Sequence, residues 1–192
     1  VAEFCALHPS LKVEMRLENR FADLVEEGID LAIRTGTMPD SSLIARPIFD
    51  SRWVIVCSPE YLESHPEPRC AEDLLGHNCL TYTYQESGTA NWLMKRPGRN
   101  DIYELQVNGN LSANNARAIR KAVIGGHGIA MVPRCMVYED LQDGKLTEIL
   151  AGHCGKVLGI YAVYPYTRNL PLKTRLLIEH IIGSYQNISH YF

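Results

Sequence analysis

The stretch Ser-Ala-Asn-Asn at 112–115 is the part of the sequence best suited to bind a small polar ligand. The residues that follow, up to Ile124, predict a helix that Ser112 or Asn114 would cap. The first turn of a helix presents unpaired backbone N–H groups, which attract a carboxylate or another polar group. Ordinary capping also explains one or two of these residues, so both interpretations stay open.

A glycine-rich stretch, Gly125-Gly126-His127-Gly128, has the composition of a phosphate-binding loop but lies in a different context. A dinucleotide-binding loop follows a strand and opens a helix. This stretch instead follows the predicted helix and precedes a predicted strand at 128–132. We therefore interpret it as the C-cap of the helix and a tight turn.

Nucleophilic chemistry has one candidate, Cys135, which lies near the predicted start of a helix that could lower the pKa of its thiol. No base partner accompanies it and no GxSxG motif is present, so an inert, half-buried cysteine is the favoured interpretation. The six cysteines include no CxxC pair, and the seven histidines show no HxH or HExxH spacing. The sequence therefore predicts no metal site, no cofactor and no enzymatic activity.

The composition predicts a folded domain that does not bind nucleic acid by itself. With 46% hydrophobic residues among 192, the chain can bury a core, which excludes a disordered or coiled-coil protein. Its 19 basic and 22 acidic residues give a net charge of −3, without the basic surplus that DNA binding requires. Unpatterned cysteines favour a reducing, cytoplasmic compartment, and no apolar run is long enough to span a bilayer.

Strands and helices alternate along the sequence, which predicts an α/β fold. The alternating residues 11–18 (LKVEMRLE) predict a half-buried strand, and 22–28 a short acidic helix. Two strands at 42–49 and 52–57 are predicted to join through a turn at Asp50-Ser51. Further predictions are helices at 1–8, 112–124, 133–141 and 172–185, a hairpin around Pro97-Gly98, and strands at 78–84, 103–108, 128–132, 146–150 and 158–164.

Taken in order, the motifs of the chain resemble the effector-binding domain of LysR-type transcriptional regulators. Each motif is weak alone, but together they cover nearly the whole chain in the same order as in that family. The resemblance rests on residues 21–36 (FADLVEEGIDLAIRTG), 40–47 (DSSLIARP), 58–62 (SPEYL) with His65-Pro66, 126–133 (GHGIAMVP), 143–146 (DGKL) and 158–165.

The resemblance implies a fold like that of type-2 periplasmic binding proteins, with two Rossmann-like subdomains joined by two crossover strands. Subdomain I would comprise residues 1–66 and 160–192, and subdomain II residues 67–159. Members of the family also carry an N-terminal winged helix-turn-helix and a first strand ahead of the helix that opens this sequence. Both are therefore expected to lie outside this chain.

The resemblance also implies that the chain senses a small-molecule effector bound between the two subdomains. Tyr82 or Tyr84 would supply an aromatic wall, and we expect Arg34 to form a structural ion pair with Asp30 or Asp50. The positions that match the family's effector pocket are Thr35, Gly36, Ser112, Asn114, Gly128, Met131, Pro133 and Tyr82.

The partners that the resemblance implies are an unknown effector, a second or several copies of the chain as a homodimer or homotetramer, and DNA only through the absent N-terminal domain. No membrane partner is expected. The helices at 1–8 and 113–124 would contact the partner copy, where Arg117, Arg120 and Lys121 would meet acidic residues. Two alternatives remain: a stand-alone solute-binding protein, and a thiol-dependent enzyme that uses Cys135.

Overall fold

Helices and strands alternate in the computed structural model, which describes residues 1–18, 20, 22–36, 42–83, 90–99 and 101–192. This order confirms the predicted α/β class. The described helices are α1 (Ala2–Leu7), α2 (Pro59–Ser64), α3 (Ala116–Ile124), α4 (Arg134–Gln142) and α5 (Leu172–Asn187). The described strands are β1 (Ala32–Thr35), β2 (Leu43–Cys57), β3 (Cys79–Tyr82), β4 (Asn91–Lys95), β5 (Ile102–Gln106), β6 (Ser112–Ala113), β7 (Ile129–Pro133), β8 (Thr147–Ile149) and β9 (Val157–Pro165).

The chain divides into two compact units. Unit 1 comprises Val1–Asp50 and Leu158–His190, and unit 2 comprises Ser51–Val157 with Tyr191–Phe192. The chain passes from one unit to the other inside β2 and again inside β9. The division predicted from the sequence differs at residues 51–66, 158–159 and 191–192. Residues 51–66 belong to unit 2, where the last part of β2 pairs with β7 and β8.

Unit 1 has a small core built around β1, β9 and the long C-terminal helix. Strand β1 pairs with β9 in antiparallel fashion. The ring of Phe4, on α1, lies 5.5 Å from the ring of His180, on α5. The buried apolar residues that the structure describes in this unit are Phe4, Leu24, Ile160, Ala162, Val163 and Ile178.

Two elements predicted for unit 1 are wrong. Residues 11–18 are not a strand, and Val13, Met15 and Leu17 are exposed rather than half-buried. A strand needs a neighbour that shares its hydrogen bonds, and none of the described strands pairs with this segment. Within the described residues 22–28, turns replace the predicted helix, and Gly28 closes them with a left-handed φ of 64°.

The core of unit 2 lies between its sheet and helices α3 and α4. The strand order is β2-β7-β3-β6, in which β7 is antiparallel to β2 but parallel to β3, and β3 is parallel to β6. Every second residue of the central strands faces the helices, as the alternation predicts. The core residues on this side are Val54, Val56, Leu80, Ala130 and Val132 from the strands, with Ile119, Val123, Val137 and Leu146 packed against them.

Unit 2 also confirms one predicted element and corrects two. Strands β4 and β5 form the predicted antiparallel hairpin. The predicted turn at Asp50-Ser51 is wrong, because β2 runs without interruption from Leu43 to Cys57. The predicted helix at 112–124 begins only at Ala116, since Ser112 and Ala113 instead pair with Thr81 and Tyr82 of β3. None of the described helices combines the length and apolarity needed to cross a membrane.

Candidate functional site

One edge of the unit 2 sheet gathers the ends of three parallel strands. Strands β3, β6 and β7 end at Tyr82, Ala113 and Pro133, and parallel strands have their carboxyl ends at the same edge. In open α/β sheets this is the edge at which ligands bind. The antiparallel strand β2 reaches the same edge through Trp53, which lies opposite Pro133.

An aromatic pair with an adjacent cation occupies this edge. The rings of Trp53 and Tyr82 are stacked, with centroids 5.6 Å apart and an interplanar angle of 23°. The Lys156 ammonium Nζ lies 4.1 Å from the centroid of the Trp53 ring, which is a cation–π contact. A backbone hydrogen bond of 3.2 Å, from Trp53 N–H to the Lys156 carbonyl, holds the two residues side by side.

The indole N–H of Trp53 is a buried donor. Only 6% of Trp53 is exposed, yet no described residue accepts a hydrogen bond from its Nε1. Buried polar groups in folded proteins are nearly always hydrogen-bonded, so such an atom needs an explanation. An acceptor atom of a ligand would supply its partner.

The helix that follows Pro133 begins at the same edge. Pro133 is the N-cap of α4, and no side chain caps the helix by a hydrogen bond. Its first turn contains no acidic residue. The first backbone N–H groups of an α-helix have no partner within the helix, and together they carry a partial positive charge. This end of α4 therefore attracts a negatively charged group.

Cys135 lies in the first turn of α4, where a helix dipole favours a thiolate. Burial nevertheless raises the pKa of the Cys135 thiol, although its own backbone N–H and the Ser51 side chain act in the opposite direction. A thiol of raised pKa is a poor nucleophile at neutral pH, because only the thiolate reacts. The geometry therefore does not favour catalysis by Cys135.

We expect Cys135 to react with iodoacetamide at pH 7 severalfold more slowly in the folded chain than in the chain unfolded by urea, because burial raises its pKa. Mass spectrometry of peptides after timed labelling measures this rate at each cysteine. The exposed Cys70 serves as the internal control for access of the reagent. Selective, rapid labelling of Cys135 in the folded chain would contradict the prediction.

Neither of the two predicted caps of α3 is the observed one. Asn115, and neither Ser112 nor Asn114, is the N-cap, and its side-chain Oδ1 accepts hydrogen bonds from the N–H groups of Arg117 and Ala118 at 2.9 and 3.3 Å. Ser112 lies in β6 opposite Thr81. Two donors of the first turn are thus already satisfied, which makes α3 a weaker anion site than α4.

Within unit 2, the structure places most of the predicted site residues at the carboxyl edge and Gly128 at the opposite end of β7. Tyr82, Ser112, Asn114 and Pro133 lie at or next to the carboxyl edge of unit 2, and Met131 is buried within β7, opposite Ile55. Gly128 precedes β7 at the other end of that strand, about 16 Å from Pro133 at the usual rise per residue. Tyr84 lies outside the described residues.

Thr35 and Gly36 belong to unit 1. Thr35 ends β1 opposite Ile160, and the N–H of Gly36 donates a hydrogen bond of 2.9 Å to the carbonyl of Gly159. Gly36 has a φ of 108°, a conformation that favours glycine, so it turns the chain out of the strand.

The structure gives partners for Arg34 and Arg120, and the expected ion pair of Arg34 stays a prediction. The Arg34 guanidinium donates to the Ala22 carbonyl at 2.5 Å, while Asp30 pairs with Lys173 at 2.7 Å. Arg120, which was expected to face a partner copy, binds Asp140 within unit 2.

Sequence reasoning missed Trp53, Lys156 and Ser51 as residues of this edge. Trp53 stands in the strand-like run RWVIVC, where an aromatic residue indicates only a core position. No local pattern links it to Lys156, because the two meet only through the folded sheet. Among the described residues, no group of three or more histidine, cysteine or acidic side chains is placed to hold a metal ion.

Comparison with known proteins gives one family. A family model described as "LysR substrate binding domain" matches residues 1–186. Among curated proteins, the uncharacterised HTH-type transcriptional regulator YhjC of Escherichia coli K12 is 31% identical over 183 residues, which cover 95% of this chain but 61% of that protein. The chain thus spans about three fifths of the length of such relatives.

Two solved structures resemble this chain closely. The full-length virulence activator AphB of Vibrio cholerae, a member of the LTTR family, matches with a TM-score of 0.81 and 31% identity over 95% of this chain and 61% of AphB. The regulatory domain of CrgA, a LysR-type transcriptional regulator from Neisseria meningitidis, matches with a TM-score of 0.82 and 28% identity over 95% of this chain and 88% of that domain.

Proposed function

Because the chain belongs to the family of LysR substrate-binding domains, we propose that it is the effector-sensing part of a longer transcriptional regulator. Its curated relatives are transcriptional regulators. In this proposal DNA binds through a domain outside this sequence, which agrees with the net charge of −3. A transcriptional regulator acts where its DNA is, so we also propose a cytoplasmic location.

One observation supports ligand binding above all others. The stacked pair Trp53 and Tyr82, the buried indole N–H and the uncapped start of α4 all lie at the carboxyl edge of parallel strands. We assign Tyr82, Ser112, Asn114, Met131 and Pro133 to this site, as the family resemblance implies, and add Trp53 and Lys156 from the geometry. Thr35 and Gly36 of unit 1 remain effector-binding residues in the proposal, and Gly128 becomes a packing residue.

In the proposed mechanism the effector shifts an equilibrium between two conformations of the domain. A ligand can shift it only as far as its affinities for the two conformations differ. The shift then reaches the DNA-binding domains through interfaces of a homodimer or homotetramer. Arg117 and Lys121 are the exposed cations of α3 for such an interface, since Arg120 is already paired with Asp140.

A thermal-shift screen of this chain against small metabolites tests the proposal. The panel contains carboxylates, neutral amides and alcohols, and amines, so that it assumes no class of effector. A ligand present at a hundred times its Kd should stabilise the folded chain by about 2.7 kcal/mol. A complete lack of stabilisation across all classes would contradict the proposed function.

Three variants locate any stabilising compound. Thr35→Val and Ser112→Ala should each weaken the shift, whereas Thr147→Val, a matched change at an exposed position of β8, should leave it intact. Stabilisation that survives both of the first two changes would show that the assigned residues are not those that bind the effector. No observation in the structure favours the stand-alone solute-binding protein, and the raised pKa of Cys135 speaks against the thiol-dependent enzyme.

A further inference from the structure

Trp53 provides the first of three features that specify the chemistry of the ligand. Its indole nitrogen can only donate a hydrogen bond, so the group that satisfies it must be an acceptor. The atom is buried and finds no acceptor among the described residues. A buried donor without an acceptor destabilises the folded chain, and an acceptor atom of a ligand would remove that penalty on binding.

Lys156 adds a full positive charge beside this donor. Its Nζ lies 4.1 Å from the centroid of the ring that carries the indole N–H, so the ammonium and the indole donor are close neighbours. Lysine carries three N–H donors and no acceptor. An acceptor that also carries a negative charge therefore satisfies Trp53 and is attracted by Lys156 at the same time.

The start of α4 adds a second positive field from a different element. Pro133 pairs with Trp53 across β7 and β2, and α4 begins at the next residue. No side-chain cap and no acidic residue in the first turn offset the partial charge of this helix end. An anion beside Trp53 is thus favoured by a helix terminus, an ammonium group and an indole donor.

From these three features we infer that the effector carries a carboxylate and that this group is received by Trp53 Nε1–H, Lys156 and the N-terminus of α4. The inference rests on the proposed function, because it names the chemical class of the effector for that site. One carboxylate oxygen accepts from the indole, and the other faces the ammonium. Binding is reversible and involves no covalent step.

The two tryptophans of the chain make a direct test possible. In a ¹H–¹⁵N spectrum of the ¹⁵N-labelled chain, Trp53 and Trp92 each give one indole signal, and Trp53→Phe assigns them. The probes are acetate, benzoate, pyruvate and 2-oxoglutarate, each at millimolar concentration and constant ionic strength, with acetamide and benzamide as neutral matches. At least one carboxylate should shift the Trp53 signal downfield, while the Trp92 signal of β4 stays in place.

Two variants separate the charge from the hydrogen bond. Lys156→Met keeps the apolar stem but removes the ammonium, and Trp53→Phe keeps a ring but removes the N–H. Each should weaken the binding of the responding carboxylate about tenfold or more, the size expected of a charge-assisted hydrogen bond. Trp92→Phe is the matched control, and this variant should bind the carboxylate with the same affinity as the original chain.

The outcomes divide cleanly. The inference is supported if a carboxylate shifts the Trp53 signal and binds more weakly to both variants. Equal shifts with the neutral amides, unchanged affinity in Lys156→Met, or no response of Trp53 to any carboxylate would overturn it. If the thermal-shift screen finds only neutral or cationic compounds, the sensing function stands and the carboxylate assignment fails. If that screen finds no compound at all, the proposed function itself fails.

Discussion

Replacing Gly128 with alanine is expected to destabilise unit 2 by about 3–5 kcal/mol, because it combines backbone strain with a steric clash. The φ of Gly128 is 155°, which residues with a side chain rarely adopt. A Cβ atom at this position would lie 2.2 Å from the carbonyl oxygen of Asn78. That oxygen accepts a hydrogen bond of 2.9 Å from the N–H of Ile129, so it cannot retreat without disturbing the pairing of β3 with β7.

Gly144→Ala is the matched control for this prediction. Gly144 also has a left-handed φ, of 71°, but nothing lies within 4 Å of the position that its Cβ would take. Gly144→Ala should therefore lower the free energy of unfolding by only about 1 kcal/mol, through backbone strain alone. Urea unfolding followed by circular dichroism measures both variants. A Gly128→Ala chain that is no less stable than Gly144→Ala would contradict the packing role and return Gly128 to the list of candidate binding residues.

The alternation of strands and helices could be predicted because it follows from local patterns of apolar residues. Ile119 and Val123 recur at helical spacing, and both are buried in the core of unit 2. The hairpin around Pro97-Gly98 follows from turn chemistry in the same way. The family resemblance extended these local predictions to the fold class, because its motifs appear in order over almost the whole chain.

The elements that were mispredicted depend on neighbours that the sequence does not reveal. Residues 11–18 have a perfect strand pattern, but strand formation requires a pairing partner, and none of the described strands provides one. Ser112 would cap a helix in isolation, yet it lies in β6 because β3 offers it a parallel ladder. In both cases a tertiary interaction decided between two locally acceptable structures.

The candidate site could be predicted only in part for the same reason. The family resemblance selected Ser112, Asn114 and Pro133, and the structure places them at or next to the carboxyl edge of unit 2, while their role in binding stays a prediction. Trp53 and Lys156 were missed because they indicate a ligand site only when they lie close together. The fold brings them together, and the sequence does not show it. An indole in an apolar run indicates burial, and only the structure shows that its N–H has no acceptor among the described residues.

Among the described ion pairs, the pair of Arg120 with Asp140 is the one whose loss is expected to lower the free energy of unfolding the most. The Arg120 guanidinium donates two hydrogen bonds to the Asp140 carboxylate, at 2.5 and 2.7 Å, and thereby joins α3 to α4. The Asp140 side chain is only 2% exposed, whereas Arg120 reaches solvent. The hydrogen bonds to the Asp140 carboxylate raise the pKa of the Arg120 guanidinium above its ordinary value, so the guanidinium is charged at every pH of interest.

Arg120→Met is therefore expected to lower the free energy of unfolding by about 3 kcal/mol at pH 7, because it leaves a buried carboxylate without its cation. Lys145→Met is the matched control, since it breaks the ion pair with Asp143, in which both side chains are exposed. Such a surface pair contributes at most about 1 kcal/mol. Urea unfolding of both variants, compared with the original chain, gives the two losses. Equal losses would show that the Asp140 carboxylate does not depend on Arg120.

The pH dependence distinguishes a buried charge from a loss of packing. In Arg120→Met the folded state favours the protonated form of Asp140 more than the unfolded state does, because protonation removes the uncompensated charge. The folded state of the variant then binds more protons than the unfolded state, and its stability rises relative to the original chain as the pH falls. The difference between the two should therefore shrink from pH 7 to pH 5. A difference that stays constant over this range would mean that the guanidinium stabilises the chain by packing, and not by neutralising Asp140.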